Sequence, residues 1–229
     1  MTQTSYRAIL LDCDGVLYDD ALGLLKAIVP AVKHVALDMG VDEDTYTRTG
    51  QALRRAGIKG LMNLIRQLCD DHNLLYERYC ARLVTYLTPF YDQLDHDAEL
   101  VTLLTELLDE VDTVVVYTNN HFLHAVEVID RRGLAHILTD DRVYDASATV
   151  GSDGIFYPKP LPQGYMQVLA KLGIPPSAAI MVDDSPHNIA AAKALGMYGV
   201  HITKTPDPTA GADATAPSLK DWLRAFLSQ

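Results

Sequence analysis

No run of apolar residues in this chain approaches the roughly 20 needed to span a bilayer, so a membrane-spanning helix is not expected. Basic residues are also in short supply. Lys and Arg number 19 against 30 Asp and Glu, a net charge of −11. That deficit argues against a nucleic-acid backbone or an anionic membrane as partner. It still permits an anionic substrate if a bound cation reverses the sign locally. The opening "MTQTSYR" lacks the apolar segment of a signal peptide, and a cytoplasmic location is expected. Cysteine is sparse: Cys13, Cys69 and Cys80. An odd number without metal-ligand spacing excludes a disulfide framework and suits buried free thiols in a reducing compartment. Repeats and low-complexity tracts are absent.

What the chain does contain is core. Of its 229 residues 48% are hydrophobic and 21% charged, with 14 Gly and 11 Pro, enough for one large core or a core plus a smaller domain. Five short apolar runs read as strands, at 6–12, 112–118, 141–145, 178–183 and 198–202. The first, second and fourth are continuous and rich in Val and Ile, as in a parallel sheet covered on both faces. Helical patterns at 97–110, 121–132, 161–172 and 187–195 lie between them. Gly133, Gly173 and Gly196 stand where helix stops belong, and Ser218 stands as the cap of a last amphipathic helix. This alternation predicts a doubly wound α/β fold with a parallel sheet. Residues 19–95 break it, with several helical stretches and no convincing strand. They are expected to form a small all-helical domain over the carboxyl end of the sheet. Residues 1–18 and 96–229 are then the α/β core. Two loops remain, at 145–156 and 203–217.

Four polar clusters follow strand or turn positions. In "AILLDCDGVLYDD" alternation puts Asp12 and Asp14 on one side of an extended backbone, where their charges repel; Gly15 lets the chain bend. Such a pair is either a solvated strand end or half of a cation site. Cys13 points the other way, into the core. "VVVYTNN" ends a strand in Thr118, Asn119 and Asn120 directly before a helix. That is either an ordinary helix cap or a seat for an anion. "YPKP" holds Lys159 between two prolines that stiffen its backbone. "IMVDDSPHN" ends a further strand in Asp183 and Asp184.

Taken in order, these motifs give DxD, Thr, Lys and DD, and at this point the sequence resembles the haloacid dehalogenase superfamily of phosphohydrolases along its whole length. The helical insert is similar to that superfamily's cap. The resemblance implies strand order 5-4-1-2-3, which would bring Asp12, Asp14, Asp183 and Asp184 into one pocket. Four carboxylates so close need a divalent cation, and hard oxygen ligands favour Mg²⁺. By the same resemblance, Asp12 and Asp184 bind the metal directly. Asp14 binds it through its backbone carbonyl, and Asp183 supports it directly or through water. Asp12 is implied as the nucleophile that forms an aspartyl-phosphate, and Asp14 as the general acid and base. Thr118 and nearby backbone N–H groups, with Asn119, are implied to hold the phosphoryl oxygens, and Lys159 to neutralise them.

The expected substrate is a small phosphate monoester, acted on by a monomer or weak dimer. "LLDCDGVLY", "YTNNHFLHAVEVIDRRGL" and "DDSPHNIAAAKALGM" look most like the pyrimidine 5′-nucleotidase branch. Sugar-phosphate or phosphoglycolate phosphatases and a phosphomutase are alternatives on the same core. A receiver-like phospho-acceptor domain is the non-enzyme alternative, disfavoured by chain length and by where the carboxylates fall. A metal-free dehalogenase is disfavoured by Asp14 and the Asp183–Asp184 pair. Five tyrosines of the insert (Tyr46, Tyr76, Tyr79, Tyr86, Tyr91) read as half-buried packing. His121 and His124 have no evident third ligand and read as helix surface or as packing behind the site. His187 lies beside the DD motif and helps to shape the pocket.

Overall fold

The computed structural model describes residues 6–19, 23–205 and 207–228. Most of the amino-terminal stretch read above for a leader, and Pro206 of the long loop, lie outside them. Six parallel strands form one sheet in the order β3-β2-β1-β4-β5-β6. They are β1 (Ala8–Leu11), β2 (Thr113–Tyr117), β3 (Val143–Tyr144), β4 (Ala179–Asp183), β5 (Tyr198–Ile202) and β6 (Ala214–Ala216). The order contains the five-strand arrangement expected from the sequence and adds β6 at the β5 edge. No strand was expected there.

Period-two alternation sorts the strand residues into two buried layers. Ile9, Leu11, Val114, Val116, Ile180 and Val182 belong to one core. They pack with α5 (Ala98–Glu110), α6 (Phe122–Arg131) and α9 (Leu219–Leu227). Ala8, Leu10, Val115, Tyr117, Ala179 and Met181 form the other core, with α7 (Pro162–Leu172) and α8 (Pro186–Ala194). Helices therefore cover both faces, and each buried aliphatic side chain contributes about 1.5–3 kcal/mol. Side-chain caps fix where α5 and α9 begin. Asp97 accepts from the Leu100 N–H at 3.0 Å, and Ser218 from the Asp221 N–H at 3.2 Å.

Residues 24–91 fold as four helices: α1 (Leu24–Asp38), α2 (Glu43–Arg55), α3 (Leu61–Asp71) and α4 (Tyr76–Tyr91). The Tyr79 hydroxyl, buried between α1 and α4, donates to the Val32 carbonyl. Tyr79 and Tyr91 are fully buried, Tyr46 and Tyr76 are half-buried, and Tyr86 is exposed. Asn63 of α3 joins this helical segment to the loop before Lys159. Its amide donates to the Phe156 carbonyl at 3.0 Å and accepts from the Phe156 N–H at 3.0 Å. No helix among the described residues is long and apolar enough to cross a membrane.

Candidate active site

The register of the central strands positions the first cluster. Leu11 pairs with Val116 on one side and Val182 on the other, so Asp12 emerges level with Asp183. The Asp12 N–H donates to the Val182 carbonyl at 2.9 Å. Gly15 turns the chain immediately afterwards with φ 76°, and a Cβ there would collide with the Asp184 carboxylate. Only glycine fits that approach.

Lys159 reaches the same point from the Pro-flanked loop. The Asn119 amide clamps its backbone, donating to the Lys159 carbonyl at 2.9 Å and accepting from its N–H at 2.7 Å. The side chain of Asn119, expected on the phosphoryl group, is thus committed to holding Lys159. The buried ammonium has three acceptors for its three hydrogens: Asp12 Oδ1 at 2.9 Å, Asp183 Oδ2 at 2.7 Å and the Tyr117 carbonyl at 2.8 Å. Burial opposes that charge, but Asp12 and Asp183 outweigh it and hold Lys159 protonated above its ordinary range. Asp183 also accepts from the Ser185 N–H at 2.9 Å and from the Asn188 amide at 2.9 and 3.1 Å. Its lone pairs are well occupied. His187, expected to shape the pocket, is exposed; its neighbour Asn188 is the residue that turns in.

This cluster is short of positive charge. Oxygens of Asp12, Asp183 and Asp184 lie within 4.8 Å of one another, facing one ammonium. Burial, reinforced by Asp183 against Lys159, pushes the Asp12 carboxyl well above its usual range. Burial and then Asp183 raise Asp184 to about 6. Among the described residues no group donates to Oδ2 of Asp12, and no other residue donates to the Asp184 carboxylate. The uncommitted Asp184 oxygens, in a site with surplus negative charge, are what a divalent cation requires. The residues present fit one.

The Asp14 carboxylate is not among the three whose oxygens lie within 4.8 Å of one another, though its charge still acts on Asp12 and Asp184. Residues after Asp12 coil instead of extending: the Leu17 N–H donates to the Cys13 carbonyl at 3.0 Å. The Asp14 carboxylate turns to the start of α6, where its Oδ1 meets His124 Nε2 at 2.8 Å and the Tyr18 hydroxyl at 2.5 Å. Burial pushes the Asp14 carboxyl upward, but His124, Tyr18 and the Asn120 side chain together bring it down to about 2. His124 is completely buried, so the helix-surface alternative for it fails. Cys13 also lies beside Asp14 and His124, in a group that does not include His121. Burial pushes the Cys13 thiol far up, so it stays protonated. His121 caps α6, its Nδ1 accepting from the His124 N–H at 3.2 Å. Burial, with His124 beside it, lowers His121 to about 3.

Thr118 follows β2 and is buried. Its N–H donates to the Tyr144 carbonyl at 3.0 Å and its Oγ1 accepts from the Asn120 N–H at 3.1 Å. No described residue accepts its hydroxyl hydrogen. A cleft of about 640 Å³ opens beside Gly15 and Asp184, bordered by Tyr18, Leu94, Thr203 and Lys204. Packing behind the site is one of the two sequence readings of His124 and is where it lies; Tyr91 and Asn188 are not marked by the sequence as parts of the site.

An α/β sheet whose first and fourth strands end in this carboxylate and lysine cluster defines a hydrolase class, and comparison with known proteins agrees. The family of haloacid dehalogenase-like hydrolases matches residues 6–196, and the chain belongs to it. It is 27% identical over 215 residues to a phosphoglycolate phosphatase of Shigella dysenteriae, covering 86% of this chain and 81% of that one. A phosphoglycolate phosphatase of Yersinia pseudotuberculosis is 25% identical, with 86% and 81% covered. Among solved structures, β-phosphoglucomutase from Clostridium difficile superposes with a TM-score of 0.60 at 16% identity, covering 97% of each chain. That likeness speaks for the fold alone. Family membership makes this chain a haloacid dehalogenase-like hydrolase; phosphatase is what those relatives are called.

Proposed function

We propose that this hydrolase is a phosphatase that cleaves small phosphate monoesters through a phosphoryl group carried on Asp12, with Mg²⁺ held by Asp12, Asp184 and the Asp14 backbone carbonyl. Asp183, whose oxygens are already engaged, supports the metal through water. When bound, the metal neutralises charge on the carboxylates and on the phosphoryl oxygens. The observation that carries the reading is the asymmetry of Asp12. One oxygen is fixed by the Cys13 N–H at 2.7 Å and by Lys159 at 2.9 Å, and the other is uncommitted.

In the first step Oδ2 of Asp12 attacks phosphorus and the ester P–O bond breaks. The departing oxygen takes a proton from Asp14. In the second step Asp14 removes a proton from water, whose oxygen attacks phosphorus, releasing phosphate and regenerating Asp12. Thr118 donates its hydroxyl hydrogen to a phosphoryl oxygen, beside the Asn119 backbone N–H, and Lys159 offsets the charge. Asp14 must be protonated for the first step and ionised for the second. Its hydrogen bonds in the described state favour the ionised form.

Residues 19–95 act as a cap domain over a core formed by 1–18 and 96–229. The paired hydrogen bonds between Asn63 and Phe156 support a cap that rests on the loop carrying Lys159. Pyrimidine 5′-nucleotides are the first choice, from the motif wording around Asp12, Asn119 and Asp184. Phosphoglycolate is the second, supported by the two phosphatases above.

The test is release of phosphate by purified protein with Mg²⁺ from UMP, CMP, AMP, GMP, phosphoglycolate and glucose phosphates. UMP or CMP is expected to exceed the purine nucleotides in kcat/KM by at least about tenfold, roughly 1.4 kcal/mol. Phosphoglycolate or a sugar phosphate faster than every nucleotide would reject the nucleotidase and leave the phosphatase. Rearrangement of a glucose phosphate without release of phosphate would indicate a mutase.

A further inference from the structure

A chain of buried hydrogen bonds runs from the helical insert to Asp14. Tyr91, the last residue of α4, places its hydroxyl 2.7 Å from His124 Nδ1, and His124 Nε2 lies 2.8 Å from Asp14 Oδ1. Both intermediate side chains are completely buried, and Asp14 and His124 are 110 residues apart in sequence. We infer that His124, held from behind by Tyr91, is a positioning residue that fixes the Asp14 carboxylate for proton transfer to the leaving group. This rests on the phosphatase reading, in which Asp14 is the acid and base.

Direction follows from donors and acceptors. Whether the Tyr91 hydroxyl donates into Nδ1 of a neutral ring or accepts from an imidazolium, a hydrogen sits on Nε2 and is donated to Asp14. The reversed tautomer would set a ring lone pair against a carboxylate oxygen. Burial makes that reversal costly, because no water can step in for the mismatched pair. The Tyr18 hydroxyl reaches the same Oδ1 at 2.5 Å. Two donors on one oxygen fix rotation of the carboxylate, so its second oxygen has one defined position. A proton passed across that oxygen depends on its geometry.

The bonds that hold Asp12 come from the Cys13 N–H and Lys159. Those that hold Asp14 come from His124, Tyr18 and Asn120. Among the described residues no side chain is seen to donate to both. Disturbing His124 should therefore impair protonation of the leaving oxygen and spare nucleophilic attack. A merely structural histidine would slow all substrates alike.

The experiment compares kcat/KM for p-nitrophenyl phosphate, whose leaving group needs little protonation, with that for 2-glycerol phosphate, an alkyl ester that needs it. Both are measured with Mg²⁺ in wild type, Asp14→Asn, His124→Phe, His124→Gln and Tyr91→Phe. His124→Phe is expected to lose about 10²-fold on the alkyl ester, the usual scale of general acid catalysis, and only a few-fold on the aryl ester. His124→Gln, which can still donate to Asp14, should narrow that gap. Tyr91→Phe should open a smaller gap of the same sign. If His124→Phe does not fold, Tyr91→Phe carries the test, since it loses only one oxygen. Equal losses on the two esters, with Asp14→Asn still discriminating between them, would overturn the positioning role alone. A wild-type enzyme that releases phosphate from neither ester would overturn the phosphatase reading and this inference with it.

Discussion

Asp12 and Asp14 are separated by a single residue, yet their surroundings are opposite in kind. Asp12 stands among acceptors: Asp183 and Asp184 lie close, and Lys159 is the cation shared between Asp12 and Asp183. Asp14 stands among donors, with His124, Tyr18 and Asn120 directed at one carboxylate. The first environment drives a carboxyl group up, and the second holds one at about 2. One turn of backbone after Asp12 is enough to separate them. On the proposed mechanism the difference divides the chemistry, since a cation is wanted only where negative charge is in excess.

Removing the metal is the harshest test of that contrast. With excess chelator, phosphate release should stop, and Mg²⁺ should restore it. Ca²⁺ should support it poorly, because its looser and larger shell disturbs in-line attack. Undiminished activity in chelator would mean that the Asp12 cluster manages without a cation. Next in size is Lys159→Met, which leaves two buried carboxylates without their ammonium. It should cost about 3–5 kcal/mol in denaturant unfolding of the metal-free protein.

A third prediction uses pH. His121 titrates at about 3 in the fold against an ordinary 6.5. Between those values the unfolded chain binds more protons, so stability rises with pH there. The contribution is complete above 6.5 and lost as pH falls toward 3. The penalty is about 1.4 kcal/mol for each pH unit below 6.5. His121→Asn retains a capping side chain and should flatten the difference in Tm between pH 4.5 and 7. A variant as acid-sensitive as wild type would show that His121 is not held neutral. Smallest of all, Tyr18→Phe should cost only about 1 kcal/mol, one hydrogen bond among several on Asp14. If it destabilised the protein as much as Lys159→Met, the energetic contrast between the two aspartates would fail.

Much of this arrangement was legible in the sequence, for definite reasons. β1, β2 and β4 are covered on both faces and so read as unbroken apolar runs. The polar residues that end them, Asp12, Thr118 and Asp183, stand out against that background. Lys159 was legible because its flanking prolines leave it little freedom. β6 was missed because Ala214, Thr215 and Ala216 carry no apolar signal; the strand exists through backbone pairing with β5. The expected strand at 141–145 shrinks to Val143 and Tyr144, since a 3₁₀ turn occupies Asp140–Arg142. Alternation failed at Asp14 because it assumes extended backbone, and the chain coils at Gly15. His124 and Tyr91 could not be placed with Asp14 from spacing. Their meeting depends on how α4 and α6 pack, which no local pattern encodes.

The central claim is that Asp12 carries the phosphoryl group and Asp14 moves the protons. Its most direct test is to mix each variant with p-nitrophenyl phosphate and Mg²⁺, quench rapidly, and map phosphorylated peptides by mass spectrometry. Asp14→Asn should trap a phosphoryl group on Asp12 at close to stoichiometric level, because hydrolysis of that intermediate lacks its base. Asp12→Asn should carry none. Phosphoryl label on the Asp12→Asn protein, or rapid phosphate release by Asp14→Asn with no trapped intermediate, would contradict the account.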